Sequence, residues 1–250
     1  MDLGIAGRAA LVTGAAGGIG TAVAEILAAE GVRLALVDRD APESLAARLR
    51  ADGADALALA ADAADEAAVT AAVAEATARY GGLDIVVGCA GVSGPVGTDL
   101  VDTALAQWEH VFAVNVTGSF LLLRHTLPLL ERAAGCAVFV ASDSAIVAAP
   151  GMAAYCASKA ALVHLVRAAS VEHPLVRINA VCPSIVDTPM SRGDLGIDGV
   201  DGFADAAYPV QSAAEVAAEI AFLVSPRARA VNAAALVSDF GYSARSNFPA

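Results

Sequence analysis

Short, near-continuously apolar runs alternate along the chain with longer segments whose apolar residues recur every three to four positions. AALVTG (9–14) reads as a buried strand, and GTAVAEILAAEG (20–31) as a helix that Gly31 closes. RLALVD (33–38) is a second strand. APESLAARLRADG (41–53), with Pro near its start and Gly at its end, is a second helix. ADALALAAD (54–62) gives a third strand, with a helix over roughly 65–80 behind it. LDIVVGCAG (83–91) is the fourth strand and leads into one long helical stretch over 106–133. CAVFVAS (136–142), a helix from about 152 to 171, VRINAVCP (176–183) and AALVSD (234–239) complete the alternation. Parallel strands buried on both faces are apolar throughout, so this order predicts an α/β fold: a doubly wound parallel sheet of about seven strands with helices on both faces. No linker divides residues 1–250, which read as a single domain. One segment breaks the rhythm: 191–207, SRGDLGIDGVDGFADAA, is polar and rich in Gly and Asp. It predicts a mobile excursion at about 190–210 in which Leu195, Ile197, Val200 and Phe203 are available to cover an apolar ligand.

The turn from the first strand into the first helix carries LVTGAAGGIG, with Gly14, Gly18 and Gly20 around Ile19. Glycines there allow a tight turn and the close approach of a pyrophosphate to backbone N–H groups at a helix N-terminus. A glycine pattern alone is also an ordinary turn; its place directly after strand one makes it a dinucleotide loop of the Rossmann type. Asp38 ends strand two, 18 residues after Gly20. A carboxylate there accepts hydrogen bonds from the adenosine ribose and repels a 2′-phosphate, which favours NAD over NADP despite Arg39 next door. Asp62, with Ala63 beside it, ends strand three, either as a helix cap or turn residue or as a partner for the adenine amino group.

Composition sharpens one further feature. Of the 15 basic residues only Lys159 is lysine, and it stands four residues after Tyr155 in AAYCASKAAL. Residues four apart share a helix face. A free tyrosine titrates near ~10, and a neighbouring ammonium lowers that value. A phenol so tuned can take an alcohol's proton while hydride leaves. Lysine's compact ammonium also suits ribose hydroxyls, a task arginine's planar fork does not simply replace. A chance YxxxK on an amphipathic helix is the competing reading.

Taken together, TGxxxGIG, YxxxK and NAVCPSIVDTPM resemble the short-chain dehydrogenase/reductase (SDR) family from Ala9 to about Ala244. The resemblance implies that Ser142 holds the substrate oxygen, with Ser144 a rival at shorter spacing. It implies that Asn115 completes a proton relay through a water, and that Val186 and Thr188, with Pro183 nearby, hold the nicotinamide carboxamide. Ala90 and Gly91 follow as cofactor-side backbone. It also implies a homo-oligomer, a dimer or tetramer. Three departures stand out: GCAG at 88–91 puts Cys89 where the family has asparagine, Pro183-Ser184 replaces Pro-Gly, and Asn232-Ala233 with Asp239-Phe240-Gly241 replaces TG…DGG. The last lies toward the family's C-terminal interface, so altered assembly contacts are expected.

The remaining composition narrows partners. A formal net charge of −12 disfavours nucleic acid and anionic membrane. No apolar run reaches the roughly 18 residues of a membrane span, and MDLGIAGRAALVTG reads as the start of a folded domain rather than a signal peptide. Cys89, Cys136, Cys156 and Cys182 form no CxxC pair, which points to free thiols in a reducing, cytoplasmic setting. His110, His125, His164 and His173 make no HExxH, so no metal is expected. In the excursion Asp194, Asp198, Asp201 and Asp205 face one Arg192; they either steer phosphate-bearing substrates away or merely solvate the loop. Val92, Val96, Val147 and Met152 add apolar wall. The reading is an NAD-dependent oxidoreductase for a neutral, largely apolar cyclic or secondary alcohol. The alternatives are an NADPH-dependent ketoreductase and a non-catalytic NAD sensor.

Overall fold

The computed structural model describes residues 3–197 and 202–245. Strands and helices alternate as β1 (Ala9–Thr13), α1 (Gly18–Ala29), β2 (Arg33–Asp38), α2 (Glu43–Ala51), β3 (Ala56–Ala60), α3 (Glu66–Tyr80) and β4 (Ile85–Gly88). The second half runs α4 (Leu105–Phe112), α5 (Gly118–Ala133), β5 (Cys136–Val140), α6 (Ala153–Glu172), β6 (Arg177–Pro183), β7 (Val186–Asp187), α7 (Pro189–Leu195), β8 (Gln211–Ser212), α8 (Ala213–Val224) and β9 (Ala235–Ser238). Seven strands form one parallel sheet in the order β3-β2-β1-β4-β5-β6-β9. The order reverses between β1 and β4, and a crevice opens there at the carboxyl ends of the strands.

Strand alternation sorts the core into two layers. Ala10, Val12, Leu34, Leu36, Ile85 and Val87 face α1, α2 and α8, where Val23, Leu27, Leu45 and Ile220 meet them. Ala9, Leu11, Ala35, Val37 and Val86 face the other way, against Val73 and Ala76 of α3, Leu123 and Leu127 of α5 and Leu162 and Val166 of α6. Both faces are buried, so β1, β2 and β4 are apolar between their end residues, and the expected doubly wound sheet is present.

Three local features depart from the sequence pattern. The stretch over 106–133 is not one helix: α4 and α5 are joined by a π-turn at Ala113–Thr117. The wider turn rotates the buried Asn115 side chain toward the loop after β4, where its amide makes all its contacts with Val92 and Ser158. The excursion at 191–207 begins as helix: α7 is capped by Thr188, whose Oγ1 accepts the Ser191 N–H at 3.3 Å. Phe203 is buried, Leu195 is exposed, and Asp198, Val200 and Asp201 lie outside the described residues. The two-residue pair β7–β8 had no sequence signal.

The C-terminal departures from the family pattern act within the chain. Asn232 Oδ1 accepts the Ile178 N–H at 2.8 Å, while Asn179 donates to Val231 O and accepts from Ala234 N–H, both at 3.0 Å. Asp239 is buried and accepts the N–H groups of Gly241 and Ser243; the Ser243 side chain first, then these amides, lower its pKa. Phe240 takes a left-handed φ of 55° in that turn. Beneath them the Arg177 guanidinium donates to the carbonyls of Leu223 (2.7 Å), Ser225 (3.1 Å) and Ala228 (3.2 Å), tying the end of α8 to β6. Truncation would leave three carbonyls without this donor. Arg177→Ala is expected to cost about 2–3 kcal/mol, the scale of hydrogen bonds to a charged group, measured as a shift in the urea midpoint at unchanged slope.

Candidate active site

A cleft of about 420 Å³ runs along the strand ends on both sides of the switch point. Its wall takes in Gly14, Ala16 and Gly17 after β1, Asp38 and Arg39 after β2, Asp62 and Ala63 after β3, and Cys89, Ala90, Gly91 and Val92 after β4. The glycine turn is shaped by close main-chain approach. Gly14 has φ +64°, and a Cβ there would lie 2.6 Å from Ala90 N. A Cβ at Gly20 would lie 2.0 Å from Gly14 O. Gly18 sits against Thr188, so the same turn touches the start of α7. Ile19 packs on the core beneath. Gly17, the N-cap of α1, supplies no side-chain cap, which leaves the first-turn amides for an anion. These are the features a dinucleotide pyrophosphate requires, so the residues present fit that cofactor.

Asp38 braces the turn. Its Oδ2 accepts the Ala16 N–H at 2.9 Å and its Oδ1 the Arg39 N–H at 2.8 Å. Asp62 Oδ1 accepts the Ala64 N–H at 2.8 Å in a local turn, and Asp65, not Asp62, caps α3. Across the cleft Gly118 admits Ala63: a Cβ on Gly118 would come 2.9 Å from the Ala63 carbonyl. Cys89 keeps the backbone bond to Thr13 O at 3.1 Å, so its replacement of asparagine leaves the strand path intact. Burial pushes its thiol up to about 12. His110 and Met190 also line the cleft; His110 carried no motif, and Met190 ends the NAVCPSIVDTPM stretch.

Beyond this cleft, the ends of β5 and β6 and the start of α6 gather the second group. Pro183 ends β6, Val186 and Thr188 are buried beyond it, and the Ser184 N–H bonds Ser238 O at 3.0 Å. Ser142 is buried just after β5; its hydroxyl donates to Asp143 Oδ1 at 3.0 Å and accepts the Ser144 N–H at 3.1 Å. Ser144 therefore serves Ser142. Ser142, not Ser144, is the serine that interacts with the Tyr155 phenol. Lys159 lies on the same face of α6, its Nζ 5.6 Å from the Tyr155 ring centroid, and it donates to Val140 O at 2.8 Å.

Asn115 is fully buried. Its Oδ1 accepts the Val92 N–H at 2.8 Å, and its Nδ2 donates to Val92 O and Ser158 Oγ, both at 2.9 Å. The amide donors are thus consumed in holding the β4 loop to α6. Its backbone carbonyl accepts the Ser119 hydroxyl at 2.8 Å. Ser158 gave no signal in the sequence because a helical serine is unremarkable without its partner.

The electrostatics reverse one expectation. The Tyr155 phenol is pushed up to about 12, chiefly by burial, with the Asp143 and Asp194 carboxylates adding to the rise and Ser142 opposing it. The lowering expected from Lys159 does not prevail. That ammonium is itself desolvated, its pKa brought down to about 8, and its hydrogen bond goes to Val140. The arrangement therefore holds a neutral phenol beside a cation that surrenders its proton readily. The excursion's carboxylates also divide: Asp194 on α7 bonds Ser93 Oγ at 2.5 Å, while Asp205 is exposed. Val92, Val96, Val147 and Met152 are half-buried. Among the described residues no cluster of three His, Cys, Asp or Glu side chains is placed to hold a metal, and no helix is long and apolar enough to cross a membrane.

Residues 14–243 match the family model described as enoyl-(acyl carrier protein) reductase. The chain is 37% identical to 2-(R)-hydroxypropyl-CoM dehydrogenase of Xanthobacter autotrophicus, over 95% of this chain and 99% of that protein. It is 37% identical to D-threitol dehydrogenase of Mycolicibacterium smegmatis, over 97% and 95%. Among solved structures, levodione reductase superposes with a TM-score of 0.89 at 32% identity, covering 96% of this chain and 99% of the other. A short chain dehydrogenase from Burkholderia cenocepacia, in complex with NADP, gives 0.86 at 33% identity over 96% and 99%.

The buried lysine has a consequence for stability. Between about 8, its folded value, and 10.5, its ordinary one, the unfolded chain binds a proton that the folded chain does not. Stability then rises with pH. Below about 8 both states are charged and the full desolvation cost is present. The unfolding midpoint of the cofactor-free protein, taken relative to Lys159→Met, is expected to rise from pH 8 to pH 10. A flat difference would contradict the lowered value.

Proposed function

The chain belongs to the short-chain dehydrogenase/reductase family, and from that premise we propose that it oxidises a neutral secondary alcohol to its ketone, reversibly, with NAD and with Tyr155 as general acid/base. The observation that carries this reading is the convergence of Ser142, Tyr155 and Lys159 at the end of β5 and the start of α6, beside a glycine-lined cleft with a carboxylate after β2. Relatives named for oxidation of a hydroxypropyl group and of threitol support an alcohol as substrate. The four cysteines are free thiols, in keeping with a reducing cytoplasm. Exposed Phe120, Phe222, Phe240 and Tyr242 are in keeping with a homo-oligomer.

A nicotinamide dinucleotide, when bound, supplies the hydride acceptor and, oxidised, a positive charge. The turn at Gly14–Gly20 would hold its pyrophosphate, Asp38 its adenosine ribose, Asp62 and Ala63 its adenine, and Ala90, Gly91, Pro183, Val186 and Thr188 its nicotinamide half. Ser142 and Tyr155 hold the substrate oxygen. In the reductive direction the neutral phenol donates its proton to the forming alkoxide. In the oxidative direction it must first lose that proton, and Lys159 is the protein cation placed to favour the phenolate. Lys159, titrating near 8, accepts and returns protons close to neutral pH. Asn115 acts by holding Val92 and Ser158, and so α6, in place.

Asp38 supports NAD because its carboxylate already braces the loop where a 2′-phosphate would sit. Arg39 in the same wall, with an NADP-bound relative of similar fold, favours the NADPH-dependent reductase as second reading.

Nucleotide reduction followed by absorbance over a panel of secondary alcohols tests both. Tyr155→Phe is expected to lower kcat by about 10²–10⁴-fold, the scale of general acid–base catalysis, with NADH affinity within a few-fold of the parent. A variant that keeps most of its activity would remove Tyr155 from the mechanism. For the cofactor, kcat/KM with NAD is expected to exceed that with NADP by at least about tenfold, the loss expected for one unfavourable charge contact. Asp38→Ser is expected to narrow that ratio. A parent enzyme that prefers NADP would put the second reading first.

A further inference from the structure

The loop that leaves the cofactor cleft is pinned at every step. Val92 is clamped by Asn115, and Gly94 packs so closely on Val111 that a Cβ would meet its Cγ2 at 2.3 Å. Gly97 N–H bonds Gly151 O at 3.0 Å. Between these, buried Ser93 gives its single hydroxyl proton to Asp194 Oδ2 at 2.5 Å, across 101 residues of sequence. Asp194 thus ties α7 to the loop. Its second oxygen, Oδ1, accepts no hydrogen bond from a described residue, and the side chain is only half-buried. Ser93 adjoins Val92, and Val92 and Met190 of α7 both line the cleft, while the same loop bonds Gly151 just before α6; the carboxylate thus stands between the cleft and the start of the helix that carries Tyr155, whose phenol it acts on.

Among the described residues no neighbouring charge is bonded to its Oδ1. Asp143, the other carboxylate acting on the phenol, is engaged by the Ser142 hydroxyl. Arg192, two residues from Asp194, is bound through Nε and an Nη nitrogen to both oxygens of Asp187, at 2.6 and 2.9 Å. Lys159 is committed to Val140 O. An alcohol seated on Tyr155 therefore has on this side a carboxylate oxygen with capacity to accept. A carboxylate accepts only, so it rewards a hydroxyl donor, does nothing for an alkyl group and repels an anion.

Resting on the alcohol-oxidising reading above, we propose that Asp194 is a specificity-determining residue that accepts a hydrogen bond from a second hydroxyl of the substrate. The preferred substrates are then neutral vicinal diols and polyols, ahead of mono-alcohols and of hydroxy acids. This replaces the largely apolar alcohol that the residue types alone suggested, while keeping the neutral charge.

The test is steady-state kinetics of the full chain with NAD and NADP on matched probes: 2,3-butanediol against 2-butanol, 1,2-cyclohexanediol against cyclohexanol, and 3-hydroxybutanoate as the anion. The parent is expected to favour each diol over its mono-alcohol by at least about tenfold in kcat/KM, as for a hydrogen bond to a charged group. Asp194→Ala is expected to cut that ratio by at least about tenfold, mainly through the KM of the diol. Asp194→Asn, which keeps an oxygen for Ser93 but loses the charge, is expected to raise 3-hydroxybutanoate relative to the diol. Unfolding midpoints and NADH affinity of both variants confirm that they fold. An unchanged ratio, or an equal loss on every probe, overturns the proposal and leaves Asp194 as a tether for α7. A parent that prefers the mono-alcohols overturns it too, while the alcohol reading stands. If no alcohol reduces either nucleotide, the alcohol reading fails, and the proposal with it.

Discussion

The joint on which the site depends is the buried amide of Asn115. It satisfies both main-chain groups of Val92 and the hydroxyl of Ser158. An amide in that setting must find partners or lose its desolvation energy outright. Satisfying it fixes three elements at once: the π-turn between α4 and α5, the loop that floors the cofactor cleft, and the first turns of α6. Ser158 directly precedes Lys159 in α6, and Gly91 directly precedes Val92. A Cβ on Gly91 would lie 3.3 Å from both Asn115 Oδ1 and Lys159 Nζ. Loop, amide and ammonium thus meet at one point where a side chain would fit only if a neighbour gave way by a few tenths of an ångström, which makes the geometry at the start of α6 stiff before any ligand arrives.

That crowding also accounts for the single lysine. The ammonium sits in a buried space bounded by Val140 O, Gly91 and Asn115. A guanidinium has five donors in a plane, and this pocket offers one described acceptor for them. Desolvation also gives lysine a property arginine never acquires, a proton that leaves near neutral pH. The phenol four residues earlier is driven the opposite way by the same burial, to about 12. One physical cause therefore moves the two titrating groups apart, from 10.0 to about 12 for the phenol and from 10.5 to about 8 for the ammonium, so burial favours the uncharged form of each.

Much of this was legible in the chain. The sheet could be read because strands buried on both faces leave no polar gaps, and the glycine turn because close backbone approach tolerates no Cβ. Tyr155 and Lys159 could be paired because helical spacing is strict. The π-turn could not, since one widened turn leaves the apolar periodicity of 106–133 nearly unchanged. Nor could the direction of the Tyr155 shift: a neighbouring charge is visible in sequence, whereas burial is a property of the packed whole. The Ser93–Asp194 bond joins residues 101 apart through a tertiary contact that no local pattern announces.

The departures from the family pattern sort by the same logic of main chain against side chain. At Cys89 and Ser184 the described hydrogen bonds to Thr13 O and Ser238 O come from backbone N–H groups, which any non-proline residue supplies. At Asn232 the replacing side-chain oxygen docks Ile178 and performs stabilising work inside one chain, while Asp239, which the pattern shares, gathers two turn amides beside the substituted Phe240. Asn115, Ser142, Tyr155 and Lys159 differ in kind: each acts through atoms beyond Cβ, and each is present. A fold whose scaffold rests on backbone contacts can vary its motif residues freely, while its chemistry is confined to the few positions where a particular side chain is irreplaceable.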